Sequence, residues 1–328
     1  MKLFTLFLFI FSLNLHAEQT GMKLVALTEI VSHPSLELAK KGVLQQLKAQ
    51  GFIEGKNLKI VEDNAQGNVS NANLIAKKFV GMKPDLIISI STPSTVAIKH
   101  AAKGTSIPIV FVSVSDPVAA KLVNNLSEKN SQITGAMATD SSMVKEIQGF
   151  MKSLLPKMKT LGIIYNSAET NSAKALSDLK ASLDPSFKLV EVSVPSSNLV
   201  PDAVRSLVKK VDAIYIPLDN TVVSALPKLI QIANGNRIPT FSNDPEHVVM
   251  GAFASYGYSQ FAVGQTAGLM AAKILKGEKV ENLKISVPTN VDVSINRKTA
   301  ELFKQSIPAK YNNMRVNAVS VVSGTSRP

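Results

Sequence analysis

Two hydrophobic periods exchange regularly along this chain, and that exchange limits the folds open to it. Short β-rich runs such as "KLVALT", "LKIVEDN" and "IPIVFVSVS" alternate with helix-length segments. In "PSLELAKKGVLQQLKAQ", for instance, apolar residues recur every three or four positions. The run "DLIISIS" at 85–91 is almost unbroken in apolar character, which suits a strand buried on both faces of a parallel sheet. Strand and helix in alternation place the chain in the α/β class with mostly parallel sheets. At 328 residues it is long enough for two lobes, each with a core of its own.

The order also runs twice. "KPDLIISISTPS" (83–94) and "KVDAIYIPLDNT" (210–221) share a Lys-x-Asp, an apolar strand and a small polar cluster. Ile-Pro strands follow in both halves, "IPIVFVSVSDPV" (107–118) and "IPTFSNDPEHVV" (238–249), each breaking into a small polar residue, an Asp and a Pro. Two similarly built, doubly wound lobes are expected. Late in the chain, "GAFASYGYSQFAVGQTAGLMAAKILKG" (251–277) offers a strand and a long helix rich in small residues. Its Gly264-x-x-x-Gly268 is read as close packing on a sheet, because Gln260, Gln265, Thr266 and Lys273 speak against a membrane span.

Residues 1–17 follow the grammar of a secretory signal peptide: Lys2, the apolar stretch "LFTLFLFIFSLNL", and Ala17 before the expected cut. The apolar stretch is short for a membrane-spanning helix. The chain has no cysteine, so it needs no disulfide framework and offers no lipidation site at the cut. A free, soluble periplasmic protein is expected. The formal charge of +12 comes from scattered lysines without a basic run flanked by aromatics, so nucleic acid is not an expected partner.

Catalytic and metal motifs are missing. The sequence contains no phosphate-binding G-x-x-x-x-G-K-[ST], no G-x-S-x-G, no G-x-G-x-x-G behind the first strand and no His pair at metal-ligand spacing. No metal, cofactor or covalent chemistry is therefore expected.

Polar residues gather at the carboxyl ends of the expected strands, where open parallel sheets bind ligands and helix N-termini present free N–H groups. These are Thr28 and Glu29; Ser91, Thr92 and Ser94; Ser115 and Asp116; Tyr165 and Asn166; Asp219 and Asn220; and Asp244. Pro34, Pro93, Pro117 and Pro245 suit first helical positions, with His33, Thr92, Asp116 and Asp244 as candidate caps. Capping accounts for each of them taken singly. As a set they differ in charge: the Thr92 end carries no acid and suits a carboxylate, whereas Asp116, Asp219 and Asp244 suit an ammonium. An α-amino acid presents both groups. Sugar hydroxyls are the other reading, but sugar sites lean on stacking aromatics and the chain has no Trp. Tyr165 and Tyr256, beside strand ends, are the expected aromatic walls; Phe111 and Phe253 are expected in the core.

The succession "LTEIVSHPSLE", "STPSTVA", "IPIVFVSVSDPVAAKLV", "ITGAMA", "LLPKMKTLGIIYNSAETNS", "PLDNTVVSA" and "GAFASYGYSQFAVGQTAG" resembles the substrate-binding components of ABC importers, specifically the tryptophan/tyrosine-uptake type. The resemblance runs over about 22–303. It implies the type I periplasmic-binding fold, with two α/β lobes joined by three crossover segments and closing by a hinge on a small ligand, often an aromatic amino acid. It implies a membrane permease as partner, a monomer, and the strand ends named above as the clamp. On this basis the expected lobes are 22–138 plus 253–284 and 139–252 plus 285–328. Two other readings share some of these features: the effector-binding lobes of a regulator, which lack support from a DNA-binding helix-turn-helix, and a secreted enzyme.

Overall fold

The computed structural model describes residues 21–140 and 142–311; the expected signal peptide and residues 312–328 lie outside them. In chain order the first lobe contains β1 (Lys23–Glu29), α1 (Pro34–Ala49), β2 (Leu58–Asn64), α2 (Val69–Gly81), β3 (Leu86–Ile90), α3 (Thr92–Ala101), β4 (Ile109–Val114) and β5 (Ile133–Met137). The second contains α4 (Met143–Leu154), β6 (Thr160–Tyr165), α5 (Thr170–Ser182), β7 (Lys188–Ser193), α6 (Val200–Leu207) and β8 (Ala213–Ile216). It continues through α7 (Asn220–Ser224), α8 (Leu226–Gly235), β9 (Thr240–Ser242), α9 (Pro245–Val249) and β10 (Ala254–Gly257). The chain then runs through α10 (Gln260–Leu275), β11 (Asp292–Ile295) and α11 (Arg297–Phe303).

Among the described residues the strands form two sheets, ordered β2-β1-β3-β4-β5 and β11-β10-β9-β8-β6-β7. Every pairing is parallel except β10 with β11. The periodicity explains the layers. β3, β4 and β5 are buried at every position, as their unbroken apolar runs require, with helices on both faces. One core cluster fills the first lobe, and two lie on opposite faces of the second sheet.

Local signals set the element ends. Pro34 opens α1, and Gly51, at φ +93°, follows its C-cap and turns the chain toward β2. Asn68 caps α2 by accepting the N–H groups of Ser70 and Asn71. Two residues at strand ends pay no such local dividend: Ser91 and Ser113 hold φ +81° and +58°, left-handed values that are uncommon for serine. Both sit where β3 and β4 meet the space between the lobes, the kind of place where backbone strain collects.

Three expectations need correction. The boundary at 252/253 moves, because β10 pairs with β9 and β11 in the second sheet; the crossing to the first lobe comes after Gly257, and α10 then packs on α1. The return crossing lies beyond Ser286, which still bridges Ala136 of the first sheet. Second, no helix follows Asp116-Pro117: residues 117–120 form a turn. Third, the small-residue face of α10 meets a helix. A Cβ on Gly264 would stand 1.9 Å from the Ala39 carbonyl oxygen, and one on Gly268 would stand 2.8 Å from that of Val43, so the two backbones of α1 and α10 are in contact. No described helix is long and apolar enough to cross a membrane.

Candidate functional site

Between the lobes lie two adjoining cavities that share Ser115, Asn171 and Leu218. The inner one, of about 30 Å³, is bounded by His33, Ser35 and Thr92 from the first lobe, Asp219, Asn220 and Asp244 from the second, and Gln260 at the start of α10. The outer one, of about 240 Å³, is walled mainly by apolar groups, including Val118, Leu126, Met137, Val144 and Leu218, with Asp116, Lys174 and Tyr215 among them.

Buried polar atoms without partners mark what the inner cavity lacks, since such atoms are rare in a folded interior. Thr92 Oγ1 and Gln260 Nε2 lack acceptors, whereas Asn171 Oδ1 and Asp244 Oδ2 lack donors. Each is oriented by its surroundings. Ser113 donates to Gln260 Oε1 (2.7 Å), which turns the amide nitrogen away from that contact. Thr92 begins α3, whose first-turn N–H groups add positive potential. Asp244 gives Oδ1 to the N–H of Glu246 as the cap of α9, leaving Oδ2 with His247 Nε2 at 3.2 Å. Asn171 donates to the Leu218 carbonyl (2.9 Å), so its oxygen is the spare atom. Two free donors and two free acceptors thus converge from both lobes, and both ring nitrogens of the buried His33 are unpartnered on the same wall.

The structure brings Thr92, Ser115, Asp116, Asp219, Asn220 and Asp244 to these cavities and leaves the other expected residues elsewhere. Glu29 accepts from Lys40 (3.2 Å) and Asn64 (2.9 Å), contacts within the first lobe, and Thr28 precedes it on β1. Ser91 and Ser94 are buried around the start of α3, with their hydroxyls unpartnered but not on the cavity walls. Asn166 is spent on Thr221 and Ala168, because it closes the turn after β6. Tyr165 and Tyr256 pack against the core, and the tyrosine on the outer wall is Tyr215, whose hydroxyl donates to Asn243. Asp219 reaches the inner wall, yet its two oxygens accept the N–H groups of Asn166 (2.6 Å) and Val222 (2.9 Å), so its carboxylate is already used to build the site. Sequence reasoning missed Gln260 and Asn171. Each lies on or beside a residue read only as a helix start, and only tertiary structure aims them.

Contacts across the lobes hold this arrangement. Ser35 Oγ meets His247 Nε2 (3.2 Å), Ser259 donates to Glu246 (2.8 Å), Tyr258 donates to Asp140 (2.8 Å), and Lys174 Nζ lies 3.4 Å from Asp116 Oδ2. Among the described residues no group of three or more His, Cys, Asp and Glu is placed to hold a metal ion.

Burial dominates the titrations here. It lowers His33 to about 4, aided by the nearby His247, and lowers His247 itself to about 4. Burial and the neighbouring Asp244 push Glu246 up to about 9, and burial with the Glu169 charge raises Asp219. The signs follow from linkage. The histidines contribute stability that is present above their unfolded value near 6.5 and lost as pH falls toward 4. Glu246 contributes stability that is present below 4.5 and lost as pH rises toward 9. On these three groups the stability of the ligand-free protein is expected to rise to about pH 6.5, where the two histidines outweigh Glu246, and to fall above it. In melting curves recorded against pH, E246Q should flatten the alkaline limb; a limb unchanged by E246Q would exclude this carboxyl as its source.

Residues 24–322 match the family of ABC transporter substrate binding proteins. A tyrosine-binding protein from Clostridioides difficile is 35% identical over 287 residues, covering 87% of this chain and 82% of its own. The structure of an ABC domain in complex with L-Trp from Streptococcus pneumoniae is 29% identical, with a TM-score of 0.81 and coverage of 88% of this chain and 97% of that one. A ligand-free, open substrate-binding protein with adhesive properties from Clostridium difficile is 36% identical but has a TM-score of only 0.66, covering 89% of this chain and 98% of that one. The chain belongs to the ABC transporter substrate-binding proteins.

Proposed function

We propose that the protein captures an aromatic L-α-amino acid, of the tyrosine or tryptophan class, between its lobes and presents it to a membrane permease. The observation that carries this reading is how the unpartnered atoms are distributed. Free donors (Thr92, Gln260) and free acceptors (Asp244, Asn171) line the inner cavity, where a carboxylate and an ammonium would answer them. The outer cavity is chiefly apolar and suits the side chain. The inner cavity has room for only a few waters, which the head group would replace. The named ligands of the two relatives, tyrosine and L-Trp, support the same class.

Binding needs no covalent step. The Asp244–His247–Ser242 contacts are fully buried, and neither His247 nor Ser242 lines either cavity, so this relay presents no activated serine to the ligand space. A working place outside the inner membrane, reached through a cleaved leader, completes the proposal and accords with the family. A thermal-shift screen of the twenty amino acids, common sugars and nucleosides tests it. Tyrosine, tryptophan or both should raise the melting temperature most; stabilisation by another class alone would refute the zwitterion reading.

A further inference from the structure

Asp116 divides its carboxylate oxygens between two tasks. Oδ1 accepts the N–H groups of Val118 and Ala119, both at 2.9 Å, and so builds the turn after β4. Oδ2 accepts no hydrogen bond from its own lobe among the described residues. Its neighbour is Lys174 Nζ on the opposite lobe, 3.4 Å away, and Lys174 lies closer to Asp178, at 2.6 Å from both oxygens. Lone pairs on Asp116 Oδ2 are therefore open at the wall of the outer cavity. Among the described residues, the other carboxylate oxygens there and Asn243 Oδ1 each have a protein donor, while Ser115 Oγ has none. Asp140 takes Tyr258 and Ser142, Asp178 takes Lys174, and Asn243 takes Tyr215. Asn171 Oδ1 is free, but it belongs equally to the inner cavity.

Distance along the site gives this oxygen a use. With the amino-acid head group in the inner cavity, the ligand side chain extends past Ser115, which lines both cavities, toward Asp116. We propose that Asp116 is a specificity-determining residue whose Oδ2 accepts a hydrogen bond from a donor at the far end of the side chain, the phenol O–H of tyrosine or the indole N–H of tryptophan. Aromatic side chains without a donor then leave that acceptor and the Lys174 ammonium without added compensation, so phenylalanine is disfavoured. This inference rests on the amino-acid reading above and refines it to donor-bearing aromatics.

Calorimetry of the full chain with L-tyrosine, L-tryptophan and L-phenylalanine tests it, using wild type, D116N and K174M. D116N keeps an oxygen for the turn and replaces the open acceptor with an N–H donor. Wild type should bind tyrosine and tryptophan at least about tenfold more tightly than phenylalanine, the range of a charge-assisted hydrogen bond that is partly exposed. D116N should weaken both by about tenfold and move phenylalanine by less than about threefold, while K174M should retain the preference. Equal binding of all three by wild type would overturn the assignment. So would a parallel loss of all three in D116N, which would mean that Asp116 acts on closure, or a K174M variant that loses the preference as D116N does. Binding of none of the three would instead remove the amino-acid reading on which the assignment stands.

Discussion

Asp244→Ala is expected to weaken binding of the aromatic amino acid by at least about 100-fold, which corresponds to roughly 2.7 kcal/mol. Asp244 is 0% exposed on the inner wall, and its Oδ2 accepts no N–H donor, with His247 Nε2 at 3.2 Å and the Glu246 carboxyl as its neighbours. Truncating one partner of a buried, hydrogen-bonded charge pair leaves the other charge unpaired, and that stranded ammonium accounts for much of the loss, about 2–5 kcal/mol in comparable interfaces. Alanine also removes the cap on the N–H of Glu246, at about 1 kcal/mol of stability. Asp244→Asn separates the two effects, because the amide keeps an oxygen for the cap while it loses the charge and replaces Oδ2 with an N–H donor. Calorimetry beside melting curves reads both: Asn should lose affinity without much loss of melting temperature. Near-native affinity in both variants would remove Asp244 from the ammonium site. Asp219 should behave differently. Its oxygens serve two backbone N–H groups, so its truncation should lower stability before it lowers affinity.

Gly264→Ala should be among the most damaging single-methyl additions in the chain. The new Cβ would stand 1.9 Å from the Ala39 carbonyl oxygen and 2.8 Å from its carbon, and no rotamer change moves a backbone. α1 and α10 would have to separate along a contact that covers one face of the first sheet. A loss of roughly 3 kcal/mol or more is expected, at the upper end for overpacking, with a fall in melting temperature of roughly 10 °C. Gly149→Ala provides the control. It lies on the exposed face of α4, where a Cβ meets nothing within 4 Å, so the same change should stabilise by up to about 1 kcal/mol through helix propensity. Equal responses at the two positions would mean that helix propensity, and not the contact between α1 and α10, governs Gly264.

How far the sequence could be read follows from what each feature depends on. Layers and strand identity depend on local periodicity, and so the apolar runs of β3, β4 and β8 were legible, as was α1. Lobe membership depends on pairing partners, and β10 shows the limit: "AFASYG" carries no mark of which sheet it joins, and β11 decides it by closing an antiparallel edge. The glycines of α10 announced close packing but not its partner. At the site, the polar strand ends were visible, and Asp244 and Thr92 do reach the cavity. Which oxygen remains free was not visible, since Asp219 and Asn166 spend theirs on neighbouring backbone and side chains that only the folded turn supplies. Asn171 and Gln260 sit at helix starts, where sequence offers no sign of which way an amide will face. Asp116 uses one oxygen to close a turn, and the other lies at the cavity wall, 3.4 Å from Lys174 Nζ.

The most direct measurement of the central claim is calorimetric titration of protein that has been unfolded, dialysed and refolded to remove any carried ligand. It compares an L-aromatic amino acid with its counterpart lacking the amino group. The account predicts saturable binding of one amino acid per chain and at least about 100-fold weaker binding of the deaminated counterpart, because Asp244 and Asn171 would then face no donor. Equal affinity for the two would contradict a clamp built around a zwitterion.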